Sequence, residues 1–279
     1  MTEKLTTTIK LIRPVNFVIT FVSVIVAAII CQPHKTPGLN IFIAAFAASF
    51  ALASGNIIND INDVEIDKIN KPLRPLPSGN LTIQQAYGLY ISCVFLSILI
   101  SVFLNEVAMI IVLFSILLLF VYSKYLKQIP LIGNITVAFL TGLVFVFGGV
   151  VVESPTAAIV PAIFAFLINL IREIVKDMED VEGDSKADLV TFPIKFGLQK
   201  SKILTLIIII TLILYTFYPF LTQCYKIEYF IAVMVIVNPI LVYCMKKLFE
   251  DSSQKSLKKI SNLLKLSIIL GLFTIYLGV

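Results

Sequence analysis

Long apolar stretches alternate with short polar connections from one end of the chain to the other. A helix that crosses a bilayer needs roughly 20 largely apolar residues. Nine stretches come close to or exceed that length: 15–31, 39–58, 84–104, 107–122, 130–152, 156–174, 203–221, 228–245 and 262–278. The pattern predicts an all-α, polytopic membrane protein with nine transmembrane helices. Residues 1–13 contain no apolar core of the kind a cleavable leader carries, so the first stretch is expected to be a retained span. Composition agrees with this reading. Of the 279 residues, 58% are hydrophobic and 14% charged, whereas a soluble domain carries about 25% charged residues. Soluble globular and disordered classes are excluded. Four cysteines with no close pair also exclude a disulfide scaffold or a zinc ribbon.

Charge sets the orientation. With a cytoplasmic N-terminus, the inner segments hold 20 of the 22 Lys and Arg residues, and only Lys35 and Lys226 fall outside. The positive-inside rule therefore predicts a cytoplasmic N-terminus and an external C-terminus. Acidic residues contribute little to orientation, yet 14 of 17 share the inner side, leaving only Glu106, Glu153 and Glu228 outside. Chemistry is accordingly expected on the cytoplasmic face of the cell membrane. The sole histidine, His34, lies on the other side and is no candidate base.

Two acidic stripes stand out. The second stretch runs into a segment, 56–67, with no Pro or Gly, where Asn56, Asp60, Asp63 and Asp67 recur at i, i+4, i+7 and i+11. At about 100° per residue these four fall within roughly 60° of one helix face, while Ile57, Ile58, Ile61 and Val64 point away. The sixth stretch repeats the spacing 117 residues later (Asp177 against Asp60), with Glu173, Asp177, Asp180 and Asp184. Such matched stripes suggest an internal repeat that sets two carboxylate faces opposite each other. One acidic helix end is commonly just solvated, but like charges at i,i+4 destabilise a helix, and two copies of one narrow face call for a reason. At membrane depth each charge costs about 2.5–3.5 kcal/mol, so six aspartates need compensation on the order of 15–20 kcal/mol. A hard divalent cation supplies it, and Mg²⁺ is usually bound through one or two carboxylates plus substrate phosphates. Cations for a phosphate lie close by. Lys71 and Arg74 sit in a turn-forming segment with Pro72, Pro75 and Pro77. Lys124 and Lys127 follow the fourth stretch, and Arg172 precedes the second stripe. For Lys195, Lys200, Lys202 and the basic group at 246–265, the orientation rule is explanation enough.

These residues form a recognisable set. Asn59-Asp60-x-x-Asp63-x-x-x-Asp67 followed by Arg74-Pro-x-Pro-Ser-Gly79 resembles the first motif of the UbiA-type intramembrane prenyltransferases, and Asp177-x-x-Asp180-x-x-x-Asp184 their second. Tyr122-Ser-x-x-Leu-Lys127 and Arg13-Pro-x-Asn16 resemble two shorter motifs of the same family, in the same order. The resemblance covers nearly the whole chain and implies one membrane domain over 1–279, with nine helices around a central cavity. It implies Asp60, Asp63, Asp67, Asp177, Asp180 and Asp184 as catalytic Mg²⁺ and diphosphate ligands. Asn56, Asn59, Lys71, Arg74, Tyr122, Lys124, Lys127 and Arg172 would bind the diphosphate, and Arg13 and Asn16 the acceptor.

Within the family, the stretches Asp67-Lys-Ile-Asn70-x-Pro72-x-Arg74-Pro and Arg172 to Asp184 look most like those of the archaeal digeranylgeranylglyceryl phosphate synthases. That resemblance implies geranylgeranyl transfer from its diphosphate to the free hydroxyl of geranylgeranylglyceryl phosphate, the second ether bond of archaeal lipids. The expected partners are an isoprenyl diphosphate donor, a lipid-phosphate acceptor and membrane lipids, with no nucleic acid and no required protein partner. An aromatic prenyltransferase of quinone synthesis is the nearest alternative, although the 4-hydroxybenzoate enzymes more often carry an Arg-Thr pair where this chain has Ile69-Asn70-Lys71. Tetrapyrrole-prenylating members share the Glu65-Ile-Asp67-x-Ile-Asn70 stretch, so that stretch alone does not exclude them. A transporter is more remote, because transporter sites sit near the bilayer midplane between discontinuous helices, and here the charged motifs gather towards one face. The phenylalanines of the fifth and sixth stretches, Phe139, Phe145, Phe147, Phe164 and Phe166, are read as packing or lipid contact. Gly142, Gly148 and Gly149 are read as points of close helix approach.

Overall fold

The structure, a computed structural model, describes residues 2–33, 37–186 and 189–279. His34 and Lys35 lie outside the described residues. Among the described residues every regular element is helical: α1 Thr2–Ile12, α2 Pro14–Cys31, α3 Leu39–Asn62, α4 Val64–Asn70, α5 Ile83–Ser101, α6 Glu106–Lys124, α7 Ile132–Val151, α8 Ile159–Glu179, α9 Val181–Lys186, α10 Phe192–Phe196, α11 Leu198–Tyr215, α12 Tyr218–Leu221, α13 Ile227–Ala232, α14 Asn238–Glu250 and α15 Gln254–Gly278. A π-helical turn, Val233–Val237, joins α13 to α14. Eight segments are long and apolar enough to cross a membrane: Pro14–Cys31, Leu39–Asn62, Ile83–Ser101, Glu106–Lys124, Ile132–Val151, Leu198–Leu221, Ile227–Glu250 and Gln254–Gly278. The expected sixth span is a helix, α8, but Arg172, Glu173, Lys176, Asp177 and Glu179 occupy its second half. That is why it falls outside the eight.

The chain forms two compact units, residues 1–127 with 144–156, and 128–143 with 157–279. In the first, α3 is the central helix and packs against α1, α2, α5 and α6. Its small residues permit this: Ala44, Ala45, Ala47, Ser49, Ala51, Ala53 and Ser54 are all buried. Val24, Ala44, Ala45, Ala47, Ala108, Val112 and Phe147 form one buried cluster. A Cβ on Gly148 would lie 2.6 Å from Ala27 Cβ, so this glycine sets the approach of α7 to α2. A second cluster gathers Leu11, Ile57, Ile58, Ile61, Val64, Leu76 and Leu81. The four apolar positions opposite the first stripe thus anchor the end of α3, as their spacing predicts.

In the second unit α8 packs against α11 and α15, and α15 also against α13 and α14. The start of α7 runs along α8. A Cβ on Gly142 would meet the Ala162 carbonyl at 2.8 Å, and Asn169 donates to Thr141 Oγ1 at 2.9 Å. Phe164 packs edge-on against Tyr215, with ring centroids 5.0 Å apart.

Candidate functional site

The first stripe does not sit on one unbroken helix, as the absence of Pro and Gly predicts. α3 ends at Asn62, Asp63 adopts φ −97° and ψ 5°, and α4 resumes at Val64. The bend is shallow, because Asp63 N–H still reaches the Asn59 carbonyl at 3.0 Å and Asp67 N–H the Asp63 carbonyl at 2.7 Å. The second stripe bends at the matching residue. Asp180 has φ −96° and ψ 4° between α8 and α9, with Asp180 N–H on Lys176 O and Asp184 N–H on Asp180 O, both at 2.9 Å. Spacing repeats between the stripes, and so does backbone geometry in the sparsely allowed bridge region.

In the first unit each aspartate is met by a cation delivered from another element or loop. Arg13, at the junction of α1 and α2, pairs with Asp60. Arg74 reaches Asp60 at 3.2 Å and Asp67 at 2.5 Å. Lys127, just past α6, pairs with Asp63, which also accepts from Asn59 Nδ2 at 2.8 Å. Asp60 and Asp67 are buried, a position carboxylates occupy almost only when paired. Local sequence explains how the cations arrive. Arg74 lies in a run of turns: Ser78 N–H bonds Arg74 O at 3.0 Å and Gly79 N–H bonds Leu76 O at 3.1 Å, with Gly79 at φ +75°, where glycine carries no steric penalty. Buried Leu76 and Leu81 fasten the segment beneath the site, and a Thr82–Gln85 capping box starts α5 directly after it. Arg13 holds a left-handed backbone, φ 56° and ψ 72°, which costs a non-glycine residue of order 1–3 kcal/mol. Its ion pair with Asp60 helps to hold it there.

Other sequence candidates are placed differently. Arg13, expected at the acceptor, is bound to a stripe carboxylate, while Asn16 is exposed on the first turn of α2. Lys71 is exposed and forms no ion pair with a described carboxylate, and Lys124 lies over the Tyr125 ring at 5.2 Å. Tyr122 is half-buried in the last turn of α6. In the second unit Arg172 pairs with Glu173 at 2.7 Å, and Lys176 approaches Glu173 at 3.8 Å. Asp180 is exposed and Asp184 half-buried. Asp177 accepts from Asn134 Nδ2 at 2.8 Å. Sequence reasoning passed over Asn134. Its signal was a lone amide in the apolar run Ile132-Gly-Asn134-Ile.

The first stripe suits magnesium and a phosphate. Its oxygens are the hard ligands Mg²⁺ prefers, and two polar atoms of the stripe asparagines are buried without a partner: Asn59 Oδ1, an acceptor, and Asn56 Nδ2, a donor. Buried polar atoms are normally satisfied. A cation or its water would satisfy the first, and a phosphate oxygen the second. Among the described residues no three carboxylate, His or Cys side chains converge as a ready-made cage.

The chain is similar to known proteins over nearly its whole length. A digeranylgeranylglyceryl phosphate synthase of Methanosphaera stadtmanae is 36% identical over 97% of this chain and 98% of its own. A solved structure of a digeranylgeranylglyceryl phosphate synthase in membranes superposes with a TM-score of 0.83 at 34% identity, covering 99% of this chain and 98% of that one. A UbiA homologue from Archaeoglobus fulgidus, bound to DMAPP and Mg²⁺, shares the fold at 20% identity, with a TM-score of 0.68 over 96% of this chain and 99% of that one. The UbiA prenyltransferase family model matches residues 20–269. Matched over nearly all its length by family model and relative alike, the chain belongs to the UbiA prenyltransferase family.

Proposed function

We propose that this protein transfers a geranylgeranyl group from geranylgeranyl diphosphate to the free hydroxyl of geranylgeranylglyceryl phosphate, in a Mg²⁺-dependent reaction that forms the second ether bond of archaeal lipids. The observation that carries the prenyl-transfer reading is the first stripe, with three aspartates held by Arg13, Arg74 and Lys127 and two stripe asparagines each left with one unpartnered polar atom. The choice of acceptor is supported by full-length relatives named for that synthase. The chain acts as one domain over 1–279 with α8 as a ninth span, the N-terminus and the active site facing the cytoplasm.

Asp60, Asp63 and Asp67, with Asp177, Asp180 and Asp184, hold Mg²⁺ and diphosphate. When bound, Mg²⁺ supplies Lewis-acid stabilisation of charge on the leaving oxygens. Arg74 and Lys127 of the first unit, and Arg172 of the second, supply positive charge for the diphosphate, the kind of preorganised term that is usually the largest in catalysis. Lys71 and Lys124 add to this field from the exposed rim, Asn56 donates to a phosphate oxygen, and Asn59 and Tyr122 help orient the group. The allylic C–O bond breaks and its electron pair leaves with the diphosphate. The acceptor hydroxyl oxygen forms the new C–O bond and releases its proton as the ether forms. Arg13, held by Asp60, reaches with Asn16 towards the acceptor phosphate.

The test uses purified protein in lipid with geranylgeranyl diphosphate, offered geranylgeranylglyceryl phosphate or 4-hydroxybenzoate, with and without chelator. A chelator-sensitive diether with the first acceptor alone is expected. Product with the second acceptor alone moves the protein to quinone synthesis, and no product with either rejects the proposal.

A further inference from the structure

We propose that Asn134 is a positioning residue for the second carboxylate set, holding Asp177 by a neutral hydrogen bond so that its charge and its other oxygen stay free for a cation. The proposal rests on the metal reading above.

The two stripes are held in different ways. In the first, every aspartate has a cationic partner, and Asp60 has two. Asp177 occupies the place in the second stripe that Asp60 occupies in the first. Among the described residues no Lys or Arg forms an ion pair with it. Its partner is an uncharged amide, Asn134 Nδ2, 2.8 Å from Oδ2. An ammonium or guanidinium in that place would neutralise the carboxylate and compete with a metal; an amide fixes the carboxylate plane and leaves the charge intact. The first stripe carries its own amide, Asn59, donating to Asp63 at 2.8 Å from the same helix. At the matching position the second stripe has Lys176, so an amide has to come from a neighbouring element.

α7 supplies it. Asn134 lies just inside the start of α7, beside the end of α8, and is only 9% exposed. Further along the same pair come the Thr141–Asn169 hydrogen bond and the close approach of Gly142 to Ala162. These fix the register that brings Asn134 to Asp177. Burying an amide in so apolar a run is costly unless it is bonded. Asn169 shows that a helix-to-helix hydrogen bond alone needs no carboxylate. Hydrogen-bonded outer partners of carboxylate ligands typically contribute 10–100-fold to metal affinity or activity.

The test is equilibrium binding of the non-reacting thiolo-diphosphate analogue of geranylgeranyl diphosphate to the full-length protein in lipid, titrated with Mg²⁺. Asn134→Leu, close in size but without a donor, should raise the Mg²⁺ concentration for half-maximal binding about 10–100-fold. Asn134→Ser, which keeps a donor, should raise it less. In turnover, saturating Mg²⁺ should return kcat of Asn134→Leu close to wild type. Asn169→Leu, which breaks the other α7–α8 hydrogen bond, should leave the Mg²⁺ midpoint unchanged. Should Asn134→Leu not fold, Asn134→Ala carries the same expectation. A wild-type midpoint in the Asn134 variant, or an equal shift in Asn169→Leu, overturns the proposal. If Asp63→Ala and Asp180→Ala also keep the wild-type midpoint, the metal reading itself fails. If those two lose metal-dependent binding while the Asn134 variant does not, only the role of Asn134 fails.

Discussion

At the scale of single residues, the two bend aspartates are the sharpest test of the site. Asp63 and Asp180 hold matching places in the two stripes, and neither is a fully buried core residue. Asp63→Ala or Asp180→Ala should abolish chelator-sensitive product formation while the melting temperature in detergent stays near wild type. Full activity in either variant would remove these residues from the catalytic set. Arg74 gives a second test. It meets Asp60 and Asp67 through Nη1 alone, which leaves its other guanidinium donors for a planar, bidentate contact to phosphate that the point charge of a lysine does not offer. Arg74→Lys should therefore lower kcat/KM for the diphosphate on the order of 10²-fold; a value within a factor of two of wild type would reduce Arg74 to bulk positive charge. The aspartates and most of their cations were legible in the sequence because they fall into short, regularly spaced motifs. The partner of Arg13 was not legible, since Asp60 lies 47 residues away and only folding joins them. Asn134 was missed for the same reason, 43 residues from Asp177.

At the scale of elements, close helix approach depends on several glycines, two of them in α7. A Cβ at Gly148 meets Ala27 and the backbone of α2, and one at Gly142 meets a carbonyl of α8, so neither neighbour can simply rotate away. Gly142→Ala or Gly148→Ala should destabilise the protein by about 1–3 kcal/mol through overpacking. The same change at Gly88 in α5, where a Cβ meets nothing within 4 Å, should be neutral or stabilising by about 0.4–1 kcal/mol. Thermal unfolding in one detergent compares all three, and equal midpoints would show that the close approaches carry no weight. The positions of eight spans were readable from hydropathy, with edges shifting by up to eight residues, from 262 to Gln254 at the last. The stripe bends were not readable. Neither Asp63 nor Asp180 has a Pro or Gly beside it in the bend itself, and a one-residue departure to ψ near 0° leaves spacing on the helix face almost unchanged.

At the scale of the whole molecule, orientation is the open geometric claim, and the cysteines make it measurable. Cys31, Cys93 and Cys244 are buried and Cys224 is exposed, all as free thiols. An impermeant maleimide should label Cys224 on intact cells. With Cys224→Ser as background, Ser78→Cys, in the exposed turn beside Arg74, should label only after permeabilisation. The reverse pattern would invert the topology. Charge asymmetry is what the expected orientation rests on, whereas α8 marks the limit of hydropathy alone. α8 carries Arg172, Glu173, Lys176, Asp177 and Glu179 inside the helix itself, which keeps it out of the helices that length and apolarity pick out.

The ion pairs of the first stripe also govern how the enzyme loads. Asp60, Asp63 and Asp67 face Arg13, Lys127 and Arg74, so this patch is electroneutral at rest. A bare divalent ion entering it would have to evict a guanidinium or an ammonium and leave an uncompensated double charge in a medium of low dielectric constant. An anion arriving with the metal offers the evicted cations a new home. Metal and diphosphate should thus load synergistically, with calorimetry registering feeble Mg²⁺ uptake alone and strong uptake once the diphosphate analogue is present.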